Sequence, residues 1–309
     1  PYLAYLGLIK PEIICLHLVE GRVVGGQQEV YVPRLIDQIE VTPYKQWWVK
    51  RENKYLGCLN GKKKKLIFLN ENILGQQINF TWLDNPKHYW LQGGKNNKKY
   101  YPTTIYRKSK PCDLARVGIS DFQPVRQHII YLKFSFVLSA YTSYTLYFSD
   151  FLAPYSFYFD PARLRSEAIQ INQVGFHPAD PVKIAFLSCW LGLKGGGVNY
   201  SQFKTFYIID EAKKQEVYQG AITLSCAANK PEDALKKNYN QTNIYQLDFS
   251  DFCQSGRFRI MIKEIGCSYP FQISSRVWQK SFKIAMKGFY HQRSGISLGP
   301  PYTNFYRPR

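Results

Sequence analysis

Acid–base chemistry near neutral pH needs two carboxyls, or a carboxyl and an imidazole, held on either side of a reacting bond. In this 309-residue chain, neighbouring carboxylates occur as Asp210-Glu211, Glu232-Asp233 and Asp248 with Asp251. Each pair falls at a predicted strand end, a predicted helix start or a turn, where short acidic side chains bond nearby backbone N–H groups. Capping and turn chemistry account for all three. The five histidines, His17, His88, His128, His177 and His291, are far apart, and none stands beside a serine or cysteine in a nucleophile motif. A triad would have to be assembled by the fold, and no local motif points to one.

Seven cysteines, Cys15, Cys58, Cys112, Cys189, Cys226, Cys253 and Cys267, include no C-x-x-C pair and have no histidine at zinc-finger spacing. No metal site is expected. Cys253 and Cys267 bracket a predicted strand and could meet, but buried thiols acting as small apolar residues are the better account. Gly195-Gly196-Gly197 reads as a hinge or a loop tip, because the following Val198-Asn199-Tyr200 supplies neither a helix start nor the Lys-Ser/Thr of a phosphate cradle. The chain is therefore assigned no catalytic, cofactor-binding or metal-binding residue. Trp47, Trp48, Tyr55, Trp82, Tyr89 and Trp90 allow two readings: a platform on which sugar rings stack, or core and turn packing of ordinary strand formers.

The elements that would position these residues are strands. Hydrophobic content of 45% and aromatic content of 16% argue against disorder, and the 24 Tyr and 20 Phe favour sheets over long helices. A net charge of +19 invites a nucleic-acid partner. Against that, the basic residues are scattered, and the one run, Lys62 to Lys65, leads directly into an apolar strand-like segment, as a solvated loop does. No stretch of 18 apolar residues occurs, so no membrane partner is expected. Pro1 to Ile9 are apolar but lack the charged and small-residue flanks of a leader and read as a strand.

Through residue 165, short apolar runs cut by turn residues predict strands at Tyr2–Ile9, Ile13–Val19, Gln38–Val41, Trp47–Val49, Lys65–Leu69, Ile78–Trp82, Thr103–Arg107, His128–Phe134 and Tyr144–Phe148. In His128–Phe134 the apolar residues run together, which predicts burial on both faces. From Ala168 to Ile273 seven or eight further strands are predicted, including Glu216–Gln219, Ala221–Leu224 and Arg257–Ile262. In the last, Phe258, Ile260 and Ile262 should face a core, while Arg257, Arg259 and Lys263 face water. KPEDALKK at Lys230 to Lys237 predicts a short helix. From Ser275 the period becomes helical: Trp278, Phe282, Ala285 and Phe289 share one face, lysines another, with Ser274 or Ser275 as N-cap.

Three motifs carry a resemblance. AIQINQVGFHPADPVKIAFLS at Ala168 to Ser188, YQLDFSDFCQSGRFRI at Tyr245 to Ile260 and IGCSYPFQI at Ile265 to Ile273 resemble the immunoglobulin-like domain that precedes the catalytic domain of family 9 glycoside hydrolases, the cellulase and endoglucanase family. GFYHQRSGISL at Gly288 to Leu298 resembles the start of that catalytic domain, with Ser294 where many members have Cys. RKSKP at Arg107 to Pro111 and HIIYLK at His128 to Lys133 resemble the segment ahead of the immunoglobulin-like domain in some members. The resemblance implies a mainly β chain with two β-sandwich-like modules, residues 1–165 and 166–274, the second immunoglobulin-like. Residues 275–309 would then open a truncated (α/α)6 barrel, their helix leaving apolar surface uncovered.

It further implies an amino-terminal fragment, without catalytic carboxylates of its own, of an enzyme that cleaves β-1,4-glucan by inversion. Its partners would be the polysaccharide and the catalytic domain, and its location extracellular or periplasmic. The alternative is a stand-alone carbohydrate-binding or adhesion protein; a basic nucleic-acid binder ranks third.

Overall fold

A computed structural model of the chain describes residues 1–25, 28–43, 45–60, 65–68, 71–94, 98–117, 121–150, 152–231, 234–239, 241–293 and 295–304. The fold is mainly β, with sandwich-like sheets and one long helix near the C-terminal end. Pro1–Gly7, Pro11–Tyr158 and Leu191–Lys194 form one compact unit; Leu8–Lys10, Phe159–Trp190 and Gly195–Arg309 form a second.

Tyr2–Lys10, whose first part belongs to the first unit, and that unit's Ile13–Val19, Phe122–Lys133 and Thr104–Arg116 lie in that order in one sheet. The last two make a long hairpin in which Ser109 faces His128, with a bulge between Pro111 and Asp113. A proline has no N–H for the ladder, and a bulge is where a strand can tolerate it. Ile130, Tyr131 and Leu132 are all buried, the two-faced burial that their continuous run predicts. A second sheet runs Lys99–Tyr100, Tyr89–Gly93, Ser143–Phe148, Tyr155–Tyr158, and a third runs Gln28–Val30, Lys65–Phe68, Lys54–Asn60, Trp47–Arg51, Gln38–Val41.

The strand expected at Ile78–Trp82 is instead a helical turn, Phe80–Leu83. Asn79 caps it, its side-chain oxygen accepting from Thr81 N at 2.9 Å, so local capping overrides the alternation of Ile78, Phe80 and Trp82. Of the basic run, Lys62 to Lys64 lie outside the described residues.

In the second unit, the strands expected at Glu216–Gln219 and Ala221–Leu224 are one strand, Gln215–Cys226. Its first half pairs with Thr205–Asp210 and its second with Ile244–Asp248, so one strand serves two sheets. Gly220 sits at the change, where an added Cβ would lie 2.5 Å from the Phe206 ring. Ile169–Gln170 and Ile184–Leu187 extend the second sheet; Gly256–Ile262, Gly266–Cys267 and Phe271–Ile273 extend the first. Their inner faces meet through aromatic rings, with Phe249 5.5 Å from Phe271 and 5.3 Å from Phe176.

Phe258, Ile260 and Ile262 are fully buried, as alternation predicts. Met261 is buried as well, beside Ile209 and Cys267, because the outer face of this strand has its own small cluster. Arg259, expected in water, is partly buried and paired with Glu211 at 2.6 Å. Lys183 explains the turn-rich link before it. Its buried ammonium donates to the carbonyls of Pro178 at 3.2 Å and Asp180 at 2.9 Å, tying the corner that joins the two strands.

Among the described residues of Lys230 to Lys237 the expected helix is absent, Ala234 and Leu235 making a turn, while Glu232 and Asp233 lie outside the described residues. The C-terminal helix spans Val277–Gln292, with Arg276 at the N-cap and no side-chain cap. Ser274 spends its hydroxyl on Arg276 N, one step before the helix. Only Val277 of this helix is buried, and Trp278, Phe282 and Phe289 are 48%, 64% and 66% exposed, the uncovered apolar surface that the sequence predicts.

All seven cysteines are free thiols, so Cys253 and Cys267 do not pair. Cys267 is buried, and desolvation pushes its thiol up to about 11. A thiol reagent at pH 8 is expected to modify the exposed Cys112 and Cys253 in the native chain, and Cys15, Cys189 and Cys267 only after denaturation. Peptide mapping of the labelled chain checks this; native labelling of Cys267 would contradict its burial.

Candidate functional site

Of the carboxylates singled out in the sequence, Asp210, Glu211 and Asp248 are engaged locally, while Glu232-Asp233 lies outside the described residues. Asp210 accepts from the backbone N–H groups of Ala212 at 2.8 Å and Lys213 at 3.0 Å, bonds that hold its carboxyl below the usual range. Asp248 accepts from the Ser250 hydroxyl at 2.7 Å and its N–H at 2.9 Å, with the same effect. Glu211 is held by Arg259. Turn and ion-pair chemistry therefore occupies Asp210, Glu211 and Asp248, and Asp210 and Asp248 are shifted in the direction opposite to what general-acid work at neutral pH requires.

One constellation is assembled by the fold in the first unit. Ser109, on Thr104–Arg116, lies opposite His128 on Phe122–Lys133, and Glu20 follows Ile13–Val19, the other neighbour of that strand. The Ser109 Oγ is 2.8 Å from His128 Nδ1, and His128 Nε2 is 3.2 Å from Glu20 Oε1. A neutral imidazole protonated at Nε2 satisfies both contacts: it donates to the carboxylate and accepts from the hydroxyl. Serine, imidazole and carboxylate in sequence is the order of a nucleophilic triad.

The surroundings oppose nucleophilic use. Arg107 donates to the Ser109 Oγ at 2.5 Å and grips Asp84 with two bonds of 2.7 and 2.9 Å, so the hydroxyl is fixed between a guanidinium and the ring. The Arg107 guanidinium also sits 4.3 Å over the Phe80 ring, which lies nearly perpendicular to the His128 ring at 5.8 Å. At the other end, Glu20 Oε1 accepts from Ile78 N at 3.1 Å and Oε2 from Arg126 N at 3.0 Å. A cavity of about 260 Å3 is lined by Glu20, Glu71 and Gln77 but by neither Ser109 nor His128. Opening at the carboxylate end, it gives a substrate no approach to the hydroxyl. The chain of bonds ties three strands and a helical turn together, and it was invisible in sequence because it depends on hairpin register.

The six aromatic residues singled out as a platform do not share a face. Trp48 and Tyr89 are buried, and Trp47 is exposed on a different sheet from Trp90. Trp82 lies against His88 and Tyr89 and donates its Nε1–H to Asp150 at 2.8 Å. The packing reading holds for this set.

Residues 165–266 match the family described as the cellulase N-terminal Ig-like domain. Over 138 residues, 45% of this chain, the sequence is 25% identical to Endoglucanase D of Acetivibrio thermocellus, and the match takes in 18% of that protein's length. Two solved structures are also similar. A metagenome-derived glycoside hydrolase family 9 endoglucanase shares 23% identity over 45% of this chain and 24% of its own, with a TM-score of 0.36. A protein described as Bacteroides ovatus GH9 shares 21% over 46% and 22%, with a TM-score of 0.34. The family match takes in the first two of the motifs from which an immunoglobulin-like domain is read and ends at residue 266, and the chain is similar to the amino-terminal part of family 9 glycoside hydrolases.

Proposed function

We propose that this chain is the non-catalytic, amino-terminal portion of a cellulase-related protein, and that β-1,4-glucan is hydrolysed by inversion in a catalytic domain joined after the C-terminal helix. The observation that carries this reading is the order of elements. A domain matching the cellulase N-terminal Ig-like family at residues 165–266 is followed by Val277–Gln292, whose Trp278, Phe282, Met286 and Phe289 share one face and stand in solvent. An apolar helix face of this kind is stable where another core covers it. Inversion needs a general acid and a general base roughly 6.5–9.5 Å apart with water between. The described carboxylate pairs of this chain are spent on turns and ion pairs, which supports a scaffolding role for it.

The test is an assay of the 309-residue chain, and of a version extended through the reading frame 3′ of Arg309, on carboxymethylcellulose. The short chain is expected to be inactive and the extended one active, with loss of activity when its downstream base aspartate is replaced. Equal activity in both would overturn the reading, as would inactivity of a folded extended protein.

A further inference from the structure

A cleft of about 540 Å3 opens on the first unit's sheet of Lys99–Tyr100, Tyr89–Gly93, Ser143–Phe148 and Tyr155–Tyr158. Strand alternation sends Tyr89, Leu91, Tyr144, Leu146 and Phe157 into the core and leaves the intervening residues on the opposite face. Register arranges that face in rows. Trp90 lies opposite Tyr147; Gln92 lies opposite Thr145, which lies opposite Ser156; and Ser143 lies opposite Tyr158.

The middle row is an amide and two hydroxyls. The Thr145 and Ser156 hydroxyls are 2.8 Å apart, and a single mutual bond leaves each with further hydrogen-bonding capacity. Aromatic rings bound the row on both sides. Trp90 and Tyr147 stack at 5.3 Å and 1°, so the pair stands up as a rigid wall, and Tyr158 is half exposed at the other end. The two walls are four residues apart along Ser143–Phe148, about 14 Å. At the border of the face, the Trp90 Nε1–H is covered and has no acceptor among the described residues.

Charge selects the ligand. The chain carries +19, yet none of the described residues lining the cleft is ionised, and the cation at its border, Lys99, has its Nζ 5.3 Å over the Trp90 ring. A phosphate or carboxylate ligand would gain nothing from an uncharged amide and hydroxyl floor. A peptide strand would add at a sheet edge, where main-chain groups are free, whereas this cleft lies on a sheet face. A sugar chain presents apolar C–H faces to rings and hydroxyls to amides and hydroxyls. We propose that this cleft binds a neutral glycan, with Tyr147 and Tyr158 packing against sugar rings and Gln92, Thr145 and Ser156 bonding their hydroxyls. Binding of a neutral glycan rests on the cleft alone; the choice of β-glucan as that glycan rests on the proposed function.

The test uses the full 309-residue chain: calorimetric titration with cellohexaose, and gel retardation in hydroxyethylcellulose, xylan and galactomannan. Tyr158→Ala and Tyr147→Ala are each expected to weaken binding about ten-fold or more. The pair Thr145→Val with Ser156→Ala should weaken it several-fold, and Phe282→Ala, on the second unit's exposed helix, should leave it unchanged. Thermal melts establish folding. Tyr147 braces Trp90, so Tyr158→Ala decides the matter if Tyr147→Ala is unstable. Binding of xylan or galactomannan alone, lost on Tyr158→Ala, would support the cleft and overturn the β-glucan assignment. No binding of any neutral glycan by the folded chain, or equal binding by all variants, would overturn the inference. Hydrolysis by the extended chain would then still uphold the proposed function.

Discussion

Replacing Glu20 with alanine is expected to destabilise the first unit by about 3–5 kcal/mol, enough to unfold it in a marginal domain. The side chain is almost wholly buried and accepts three hydrogen bonds, from Ile78 N, Arg126 N and His128 Nε2. Alanine would leave three buried donors without partners, each costing about 1–3 kcal/mol. Glu20→Gln keeps one acceptor but turns an NH2 group toward a backbone N–H, so an intermediate loss is expected. Glu29, exposed on Gln28–Val30, serves as control, and its alanine variant should stay within about 0.5 kcal/mol of the parent. Urea unfolding followed by tryptophan fluorescence reports chiefly on this unit, which holds Trp47, Trp48, Trp82 and Trp90. A Glu20→Ala midpoint equal to that of Glu29→Ala would sink the account.

The same network gives the unit an acid limit. Burial holds the His128 imidazole below its ordinary value, and the bond to Glu20 only partly offsets it. The native state therefore stays neutral at this ring while an unfolded chain takes up a proton near pH 6.5. With more protons bound in the unfolded state, stability rises with pH, so this contribution is present above about pH 6.5 and is lost as pH falls toward the native value. Replacing His128 with glutamine should flatten the melting profile between about pH 7 and pH 5 while lowering its plateau.

How much of this was legible depended on whether a feature was local or long-range. Ile13–Val19 and Gln38–Val41 were predicted to the residue, because apolar and β-branched residues bounded by turn formers determine a strand within a few positions. The immunoglobulin-like motifs were legible for a related reason. Lys183, Phe258 and Phe271 each occupy a place in the core or corner that few other side chains can fill. By contrast, Lys54–Asn60 and Asn72–Gly75 carry lysine, asparagine and glycine and have no readable alternation, so only their partners make them strands. Gln215–Cys226 was read as two strands because Gly220 resembles a break, when its role is to let one strand pass the Phe206 ring. The meeting of Ser109, His128 and Glu20 depends on the register of a twelve-pair hairpin with a bulge in it, and no property of those three residues encodes that register.

Phe258→Ala is expected to cost the second unit about 3–5 kcal/mol, the range for emptying a buried aromatic site. Phe258 has no exposed surface, lies opposite Phe271 across the ladder and meets the Phe252 ring edge-on at 5.1 Å. Phe271 in turn contacts Phe249 and Phe176, so one ring braces rings from both sheets of the sandwich. The site cannot easily collapse on a truncated side chain, because a β-ladder fixes the backbone on either side of the gap. Phe258→Leu retains much of the apolar volume and should cost less than half as much. Phe258→Tyr is the more informative change, since it keeps the ring and adds only a hydroxyl at its tip. The tip of the ring lies against Gly256, where even an added Cβ would come within 2.7 Å of it, so a hydroxyl there would be buried against the backbone at the start of the strand Gly256–Ile262. A destabilised Tyr variant is therefore expected here, by about 1–3 kcal/mol for a crowded and unpaired hydroxyl. Denaturant unfolding of the three variants, monitored by far-ultraviolet dichroism, tests the ranking Ala below Tyr below or equal to Leu. A Tyr variant more stable than the parent would show that the strand start at Gly256 yields and offers the hydroxyl a backbone partner.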